Sequence, residues 1–293
     1  LLDIHHFSYG WLTPLLAYLM SFTGSLLGLQ CAARARTGSN RVGWLLLAAL
    51  ALGGTGIWVM HFIGMLGFSI AGVEIRYDVP LTLVSAVTAI VVVGIGLFVV
   101  VRPRPTVTAL LSGGTVTGLG VATMHYTGMV ALRSHATIGY SAPLVALSVA
   151  IAVVAATAAL WFTVRVQRFL ATVGAALIMA AAVCGMHYTG MASMHAEHGG
   201  GHDEPVGGAG AMELLAPLIV GISIVTMLVL IAVSLTAIER DDPPPPRPRP
   251  YRPAADDIAN LPLPEREPAS VGAVVVPLRS TPYWPTTDDV SRR

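Results

Sequence analysis

The hexapeptide Met-His-Tyr-Thr-Gly-Met stands twice in the chain, at 124–129 and 186–191, and a relative, Met60-His61-Phe62-Ile63-Gly64-Met65, stands once. Methionine brings a soft thioether and histidine an imidazole, a pair that suits copper better than calcium or magnesium. His61, His125 and His187 are separated by 64 and 62 residues, and each lies in a long apolar stretch. Histidine is costly inside a membrane helix, so its presence there points to function.

Within each copy the histidine and the second methionine are four residues apart: His61 and Met65, His125 and Met129, His187 and Met191. On a helix such a pair shares one face, one turn apart, so both side chains can reach one ion. The first methionines, Met60, Met124 and Met186, turn about 100° away and serve a neighbouring helix's site or pack against it. Gly64, Gly128 and Gly190 leave room for close helix approach. Tyr126, Thr127, Tyr188 and Thr189 offer hydroxyls to hold the second imidazole nitrogen or a ligand on the metal. One such histidine is adequately explained by a hydrogen bond to a carbonyl on the next helix. Three copies with the same offset point to a metal or a cofactor.

Other candidate ligands are fewer. Cys184 lies three residues before His187 on much the same face, yet free cysteine is commonly a buried packing residue. Cys31 belongs to the opposite end of its helix, too far in depth for a disulfide with Cys184. A loop at 195–204 carries His195, Glu197, His198, His202, Asp203 and Glu204 among glycines, a secondary candidate for a divalent ion or simply a solvated loop.

The elements that must position these groups are membrane helices. The chain is 54% hydrophobic and 11% charged with a mean hydropathy of +0.71, where soluble domains carry about 25% charged residues. A helix needs about 20 apolar residues to cross the hydrocarbon core. Seven runs qualify: 11–33, 43–70, 80–101, 108–132, 143–164, 170–194 and 213–238. The first lacks a basic leader and is followed by Arg34 and Arg36, so it reads as a span and not as a signal peptide. Arginine is the only strong base in the chain, and it marks alternate connections: Arg34, Arg36 and Arg41; Arg102 and Arg104; Arg165 and Arg168; then Arg240. The opposite loops hold only Arg76 and Arg133, which places the N-terminus outside and the C-terminus in the cytoplasm. All nine histidines then lie on the outer side.

The expected fold is all-α: a polytopic membrane protein with seven transmembrane helices, made of a two-helix unit of about 60 residues repeated three times plus a closing helix. Parallel motif helices bring the three copies to one depth, where they build one shared site or up to three separate ones. Two regions follow, a membrane domain at 1–238 and a proline- and arginine-rich tail at 239–293, expected to be disordered, extended and cytoplasmic. Most such tails are linkers, and some bind recognition domains. A net charge of +1 offers no argument for nucleic acid.

At these residues the sequence resembles the MHYT family, bacterial integral-membrane domains named for the motif. The resemblance covers about residues 5–238 and implies a sensor domain that binds copper and thereby senses oxygen, carbon monoxide or nitric oxide. By position the implied ligands are Met60, His61 and Met65, then Met124, His125 and Met129, then Met186, His187 and Met191. The first copy departs from the pattern, with Phe62 and Ile63 in place of the two hydroxyl residues. Family relatives often join this domain to cyclase, phosphodiesterase or kinase output, so the resemblance also implies a cytoplasmic signalling partner. Competing expectations are copper transport or delivery, haem held by two of the three histidines, and a structural role without metal. Enzyme activity is not expected, because no embedded acid–histidine pair or nucleophile constellation is present. A retinal receptor of the usual kind is excluded by the absence of lysine.

Overall fold

The computed structural model describes residues 2–37, 40–102, 106–198 and 206–241. Among them are seven helices long and apolar enough to span a membrane: α1 (Leu12–Thr37), α2 (Arg41–Leu66), α3 (Val79–Val100), α4 (Val107–Val130), α5 (Ala142–Arg165), α6 (Phe169–Met191) and α7 (Ala211–Asp241). The protein is a multi-pass membrane protein, as its apolar runs require. The second and sixth spans end at Leu66 and Met191, short of their expected limits, because the chain beyond them turns into strands. Residues 242–293, most of the expected tail, lie outside the described residues.

Alongside large core side chains such as Trp58, Phe62 and Leu97, the helices bury many small residues and turn many large ones outward. On α1 the buried set includes Ala17, Ser21, Gly24, Ser25 and Gly28, while Leu15, Leu16 and Leu19 are exposed. On α3 Ser85 and Ala89 are buried, and Val84, Val87 and Val91 face outward. Lipid tails are as apolar as leucine, so aliphatic side chains gain nothing by facing inward, and close packing of small residues holds the bundle together. Side-chain caps start three of the helices: Asn40 accepts from the Gly43 N–H at 3.0 Å, Asp78 from Leu81 at 3.0 Å and Thr106 from Ala109 at 3.1 Å. Pro80 and Pro143 sit in the first turns of α3 and α5, where a missing N–H costs nothing.

The first six helices form a ring in chain order, closed where α1 packs against α6, and α7 lies outside it against α1 and α2. The motif helices α2, α4 and α6 alternate with the return helices. α2 is the most buried span, and its middle, Leu50–Val59, is a π-helix. That segment contains Gly53, Gly54 and Gly56, whose weak helix preference permits the wider winding. Glycine also lets the neighbours approach by backbone: a Cβ on Gly24 of α1 would overlap the Gly56 backbone, and one on Gly53 would lie 2.7 Å from the Ala89 carbonyl of α3. Thr55 of α2 and Thr226 of α7 share a buried hydroxyl–hydroxyl hydrogen bond of 2.5 Å.

Short antiparallel strands gather at one end of the ring: β1 (Ile4–His5) with β2 (Ser69–Ile70), β3 (Arg76–Tyr77) with β4 (Leu132–Arg133) and β7 (Ala209–Gly210), and β5 (Ala136–Tyr140) with β6 (Met194–His198). Each group bridges two motif helices. β3–β4 joins the segments after α2 and α4, and β5–β6 joins those after α4 and α6. The β1 segment joins α6 to α2, since Leu2 N–H also donates to Ala196 at 2.8 Å. Sequence reading places these stretches in loops or, at Ser69–Ile70, Leu132 and Met194, in the ends of the expected spans, because strands of two to five residues are too short to show alternation.

Candidate metal centre

The three motif histidines meet at the centre of the ring, just beneath the strand cap. His61, His125 and His187 are each 1% exposed. Their Nδ1 atoms form a triangle with sides of 3.0 Å (His61–His187), 3.0 Å (His61–His125) and 3.4 Å (His125–His187). The rings stand nearly perpendicular to one another, at 75°, 87° and 90°. Of the two arrangements left open by the motif spacing, a shared histidine cluster is the one found.

The glycines explain how three imidazoles fit so closely. The Nε2 of His61 lies against Gly128, that of His125 against Gly190 and that of His187 against Gly64. Each histidine thus seats itself on the glycine of the next copy, in a cycle of three, and a methyl group on any of these glycines would overlap the ring. Their expected role, close helix approach, is really clearance for the neighbouring imidazole. A glycine three residues after the histidine in every copy is the signal that carries this.

The hydroxyls do not hold the second imidazole nitrogens, contrary to expectation. Among the described residues, none of the three buried Nε2 atoms has a hydrogen-bond partner. Tyr126 instead shares a 2.6 Å hydrogen bond with Ser148 of α5, Thr189 donates to its own helix at Gly185, and the Tyr188 hydroxyl has no partner. Ser148 escaped sequence reading because a lone serine in a return helix carries no motif.

The remaining candidates are placed as follows. Met60, Met65, Met124, Met129, Met186 and Met191 are all buried. Cys31 and Cys184 are free, and neither joins the histidine cluster. His195 and Glu197 are exposed on β6, with the His195 ring over Gly139 of β5. The backbone of His198 pairs with Ala136, and His202 lies outside the described residues. One helical turn inward of the triad is a cavity of about 50 Å³, lined by Ile57, Val121 and Val183, each four residues before a motif histidine, and by Met186. Towards the cap, burial pushes the Tyr77 and Tyr140 hydroxyls up and holds His6 below the ordinary histidine range.

The donor set fits a metal ion. With metal–nitrogen bonds of about 2.0–2.1 Å and tetrahedral angles, ligand nitrogens stand about 3.3–3.4 Å apart, close to the observed triangle. A hydrogen bond needs a donor and an acceptor, and three nitrogens that meet pairwise must leave at least one pair of like character. A cation removes that conflict, because all three lone pairs can point at it. The three histidines can therefore hold a metal ion.

Comparison with known proteins agrees with this architecture. The sequence profile of the MHYT family, described as a bacterial signalling protein N terminal repeat, matches residues 54–113 and 118–176. The third copy of the motif lies beyond both matched segments. The chain is 38% identical over 193 residues to the bifunctional diguanylate cyclase/cyclic di-GMP phosphodiesterase MucR of Pseudomonas aeruginosa, covering 64% of this chain and 28% of that protein. It is 39% identical over 158 residues to the cyclic di-GMP phosphodiesterase NbdA of the same organism, covering 52% and 20%. It is 32% identical over 197 residues to the signaling protein YkoW of Bacillus subtilis, covering 64% and 24%. The matches thus span between a fifth and just over a quarter of these relatives' lengths. No solved structure matches. With two matched segments, seven spans and three motif copies gathered at one centre, the chain carries the MHYT-family repeat of bacterial signalling proteins at 54–113 and 118–176.

Proposed function

We propose that the protein is a copper-binding sensor whose ion is held by His61, His125 and His187 and whose ligand is a diatomic gas: oxygen, carbon monoxide or nitric oxide. The observation that carries the reading is the Nδ1 triangle, three buried donors supplied by three separate helices. Copper bound there would supply a redox-capable centre with a coordination position open to a small ligand. Met65, Met129 and Met191, one turn after each histidine, are the proposed thioether ligands, with Met60, Met124 and Met186 on the inward side; copper is preferred because imidazole and thioether together suit it. The cavity beside the triad, mainly apolar but with Ser25, Thr117 and Thr163 in its lining, is large enough for a diatomic molecule. Haem fits the triangle poorly, since nitrogens 3.0–3.4 Å apart leave no space for a porphyrin between any two of them.

The proposed topology has the strand cap, the triad and the N-terminus on the outer side, and the arginine-bearing connections support it through the positive-inside rule. The proposed division is a sensing domain at 1–238 and a cytoplasmic tether from 239, with a secondary ion-collecting role for His195, His198 and His202. The proposed output is a signalling activity like the cyclic di-GMP turnover named for the relatives, whether on the same polypeptide or on a partner. These helices themselves have no proposed catalytic residue.

The test is metal content by mass spectrometry on detergent-purified protein, beside a triple variant with His61, His125 and His187 changed to alanine. The expected result is one copper ion per chain in the parent and none in the folded variant. Equal metal in both would remove the triad as the site. In the loaded parent, Val121→Phe should block binding of carbon monoxide without releasing copper.

A further inference from the structure

The three seams between motif helices are not equivalent. Two of them are plugged by a tyrosine of the cap. Tyr77, 2% exposed, packs against Phe62 of the first copy at 6.1 Å between centroids, over the α2–α4 seam. Tyr140 packs against Tyr126 of the second copy at 6.1 Å, over the α4–α6 seam, and Tyr126 is itself satisfied by Ser148. The third seam, between α6 and α2, is covered by the segment before α1. Here His6 packs against Phe68 at 5.7 Å and Phe7 against Tyr188 at 5.7 Å.

Unpartnered polar atoms collect at this third seam. Among the described residues the buried Nδ1 of His6, Oγ1 of Thr13 and hydroxyl of Tyr188 have no hydrogen-bond partner, and Thr13 is only 6% exposed. Thr13 Oγ1 and the His6 backbone lie at the end of α2, where a Cβ on Gly67 would meet both Thr13 Oγ1 and, at 3.2 Å, the His6 carbonyl. Gly64, one turn earlier on the same helix, is the seat of the His187 ring. Thr13 and the His6 backbone therefore stand one turn along α2 from the seat of His187, whose own Nε2 is unpartnered among the described residues. A buried donor or acceptor left unsatisfied pays its desolvation without return, so groups gathered in this way call for water or a ligand. At the tyrosine-plugged seams, among the described residues, the enclosed unpartnered side-chain atoms are the Nε2 atoms of His61 and His125, and Tyr126 is satisfied by Ser148.

We propose that this seam is the loading port of the triad, a hydrated passage in which His6 Nδ1 and the hydroxyls of Thr13 and Tyr188 receive a metal cation from water and pass it to His187. The proposal rests on the metal-binding reading of the triad. It assigns these three side chains to the rate of exchange and not to the final coordination of the ion. It also gives the α2–α6 seam a role that the other two do not share, because among the described residues the enclosed unpartnered side-chain atoms at those two belong to the triad itself.

The experiment is stopped-flow uptake of Cu(II) by purified metal-free protein, followed by imidazole-to-copper absorption, with final copper measured by mass spectrometry. His6→Ala and the double variant Thr13→Val/Tyr188→Phe are compared with the parent and with Tyr126→Phe at a plugged seam. Uptake and release should both slow by about tenfold in the two port variants, the lower end of what outer partners of metal ligands contribute. The final stoichiometry, which also reports an intact fold, should equal that of the parent, and Tyr126→Phe should keep the parent's rate. Unchanged rates in the port variants, equal slowing in Tyr126→Phe, or loss of copper in His6→Ala would each overturn the port while leaving the triad in place. A parent that takes up no copper would overturn the metal reading, and the port with it.

Discussion

At the scale of single residues, the decisive group beside each histidine is a glycine. Gly64, Gly128 and Gly190 each face the Nε2 of a histidine from another copy, so the triad is held by shape as much as by ligand chemistry. Replacing Gly190 by alanine should push the His125 ring off its seat and open the triangle. The expected result is at least about a tenfold loss of copper affinity, comparable to removal of an outer partner of a metal ligand, by titration of the purified variant. Gly174, which has open space where a Cβ would stand, is the matched control and should leave affinity unchanged. The hydroxyls of the motif diverge in role. Tyr126 ties its helix to α5, whereas Tyr188 faces the unplugged seam, so identical sequence copies are not identical parts.

At the scale of elements, the cap and the helix starts fix where the motifs end. Asp78 caps α3 through the Leu81 N–H and meets Arg133 of β4, so one carboxylate links a return helix to the strand after the second copy. The Leu81 hydrogen bond first, and Arg133 next, hold its carboxyl below the usual range. A lowered folded-state pKa adds stability above the unfolded value of about 3.9, and that stability is lost as pH falls through the folded pKa. Asp78→Asn should therefore lower the thermal midpoint at pH 7, with the difference from the parent vanishing in acid below the folded pKa. A constant difference across that range would remove the charge from the account. α2 is the element least foreseen: its apolar run reads as an ordinary span, yet its middle is a π-helix wedged by backbone contact between α1 and α3. Winding of that kind depends on neighbours that the local sequence does not name.

At the scale of the whole molecule, three copies on alternate helices of a six-helix ring place one donor each at its centre, so an ion there would join all three repeats. Ligands that bind only the folded state stabilise it by mass action, about 2.7 kcal/mol at a hundredfold excess over the dissociation constant. Copper should therefore raise the thermal midpoint of the parent, and it should leave unmoved that of the variant lacking His61, His125 and His187. Much of this was legible in the sequence alone. Seven spans follow from apolar length, because hydrocarbon thickness sets how many residues a crossing needs. The three-fold repeat follows from motif spacing, and the candidate donors from the cost of histidine in lipid. Tertiary structure decided what those rules leave open. Only the ring closure of α1 on α6 brings three distant histidines into one triangle and not three separate sites. Only the pairing of short strands shows that two seams are plugged by tyrosine and the third by a segment with unpartnered polar groups. The physical reason is range: composition and periodicity report how each residue meets lipid or its own helix, whereas a site shared by three helices depends on contacts more than 60 residues apart in the chain.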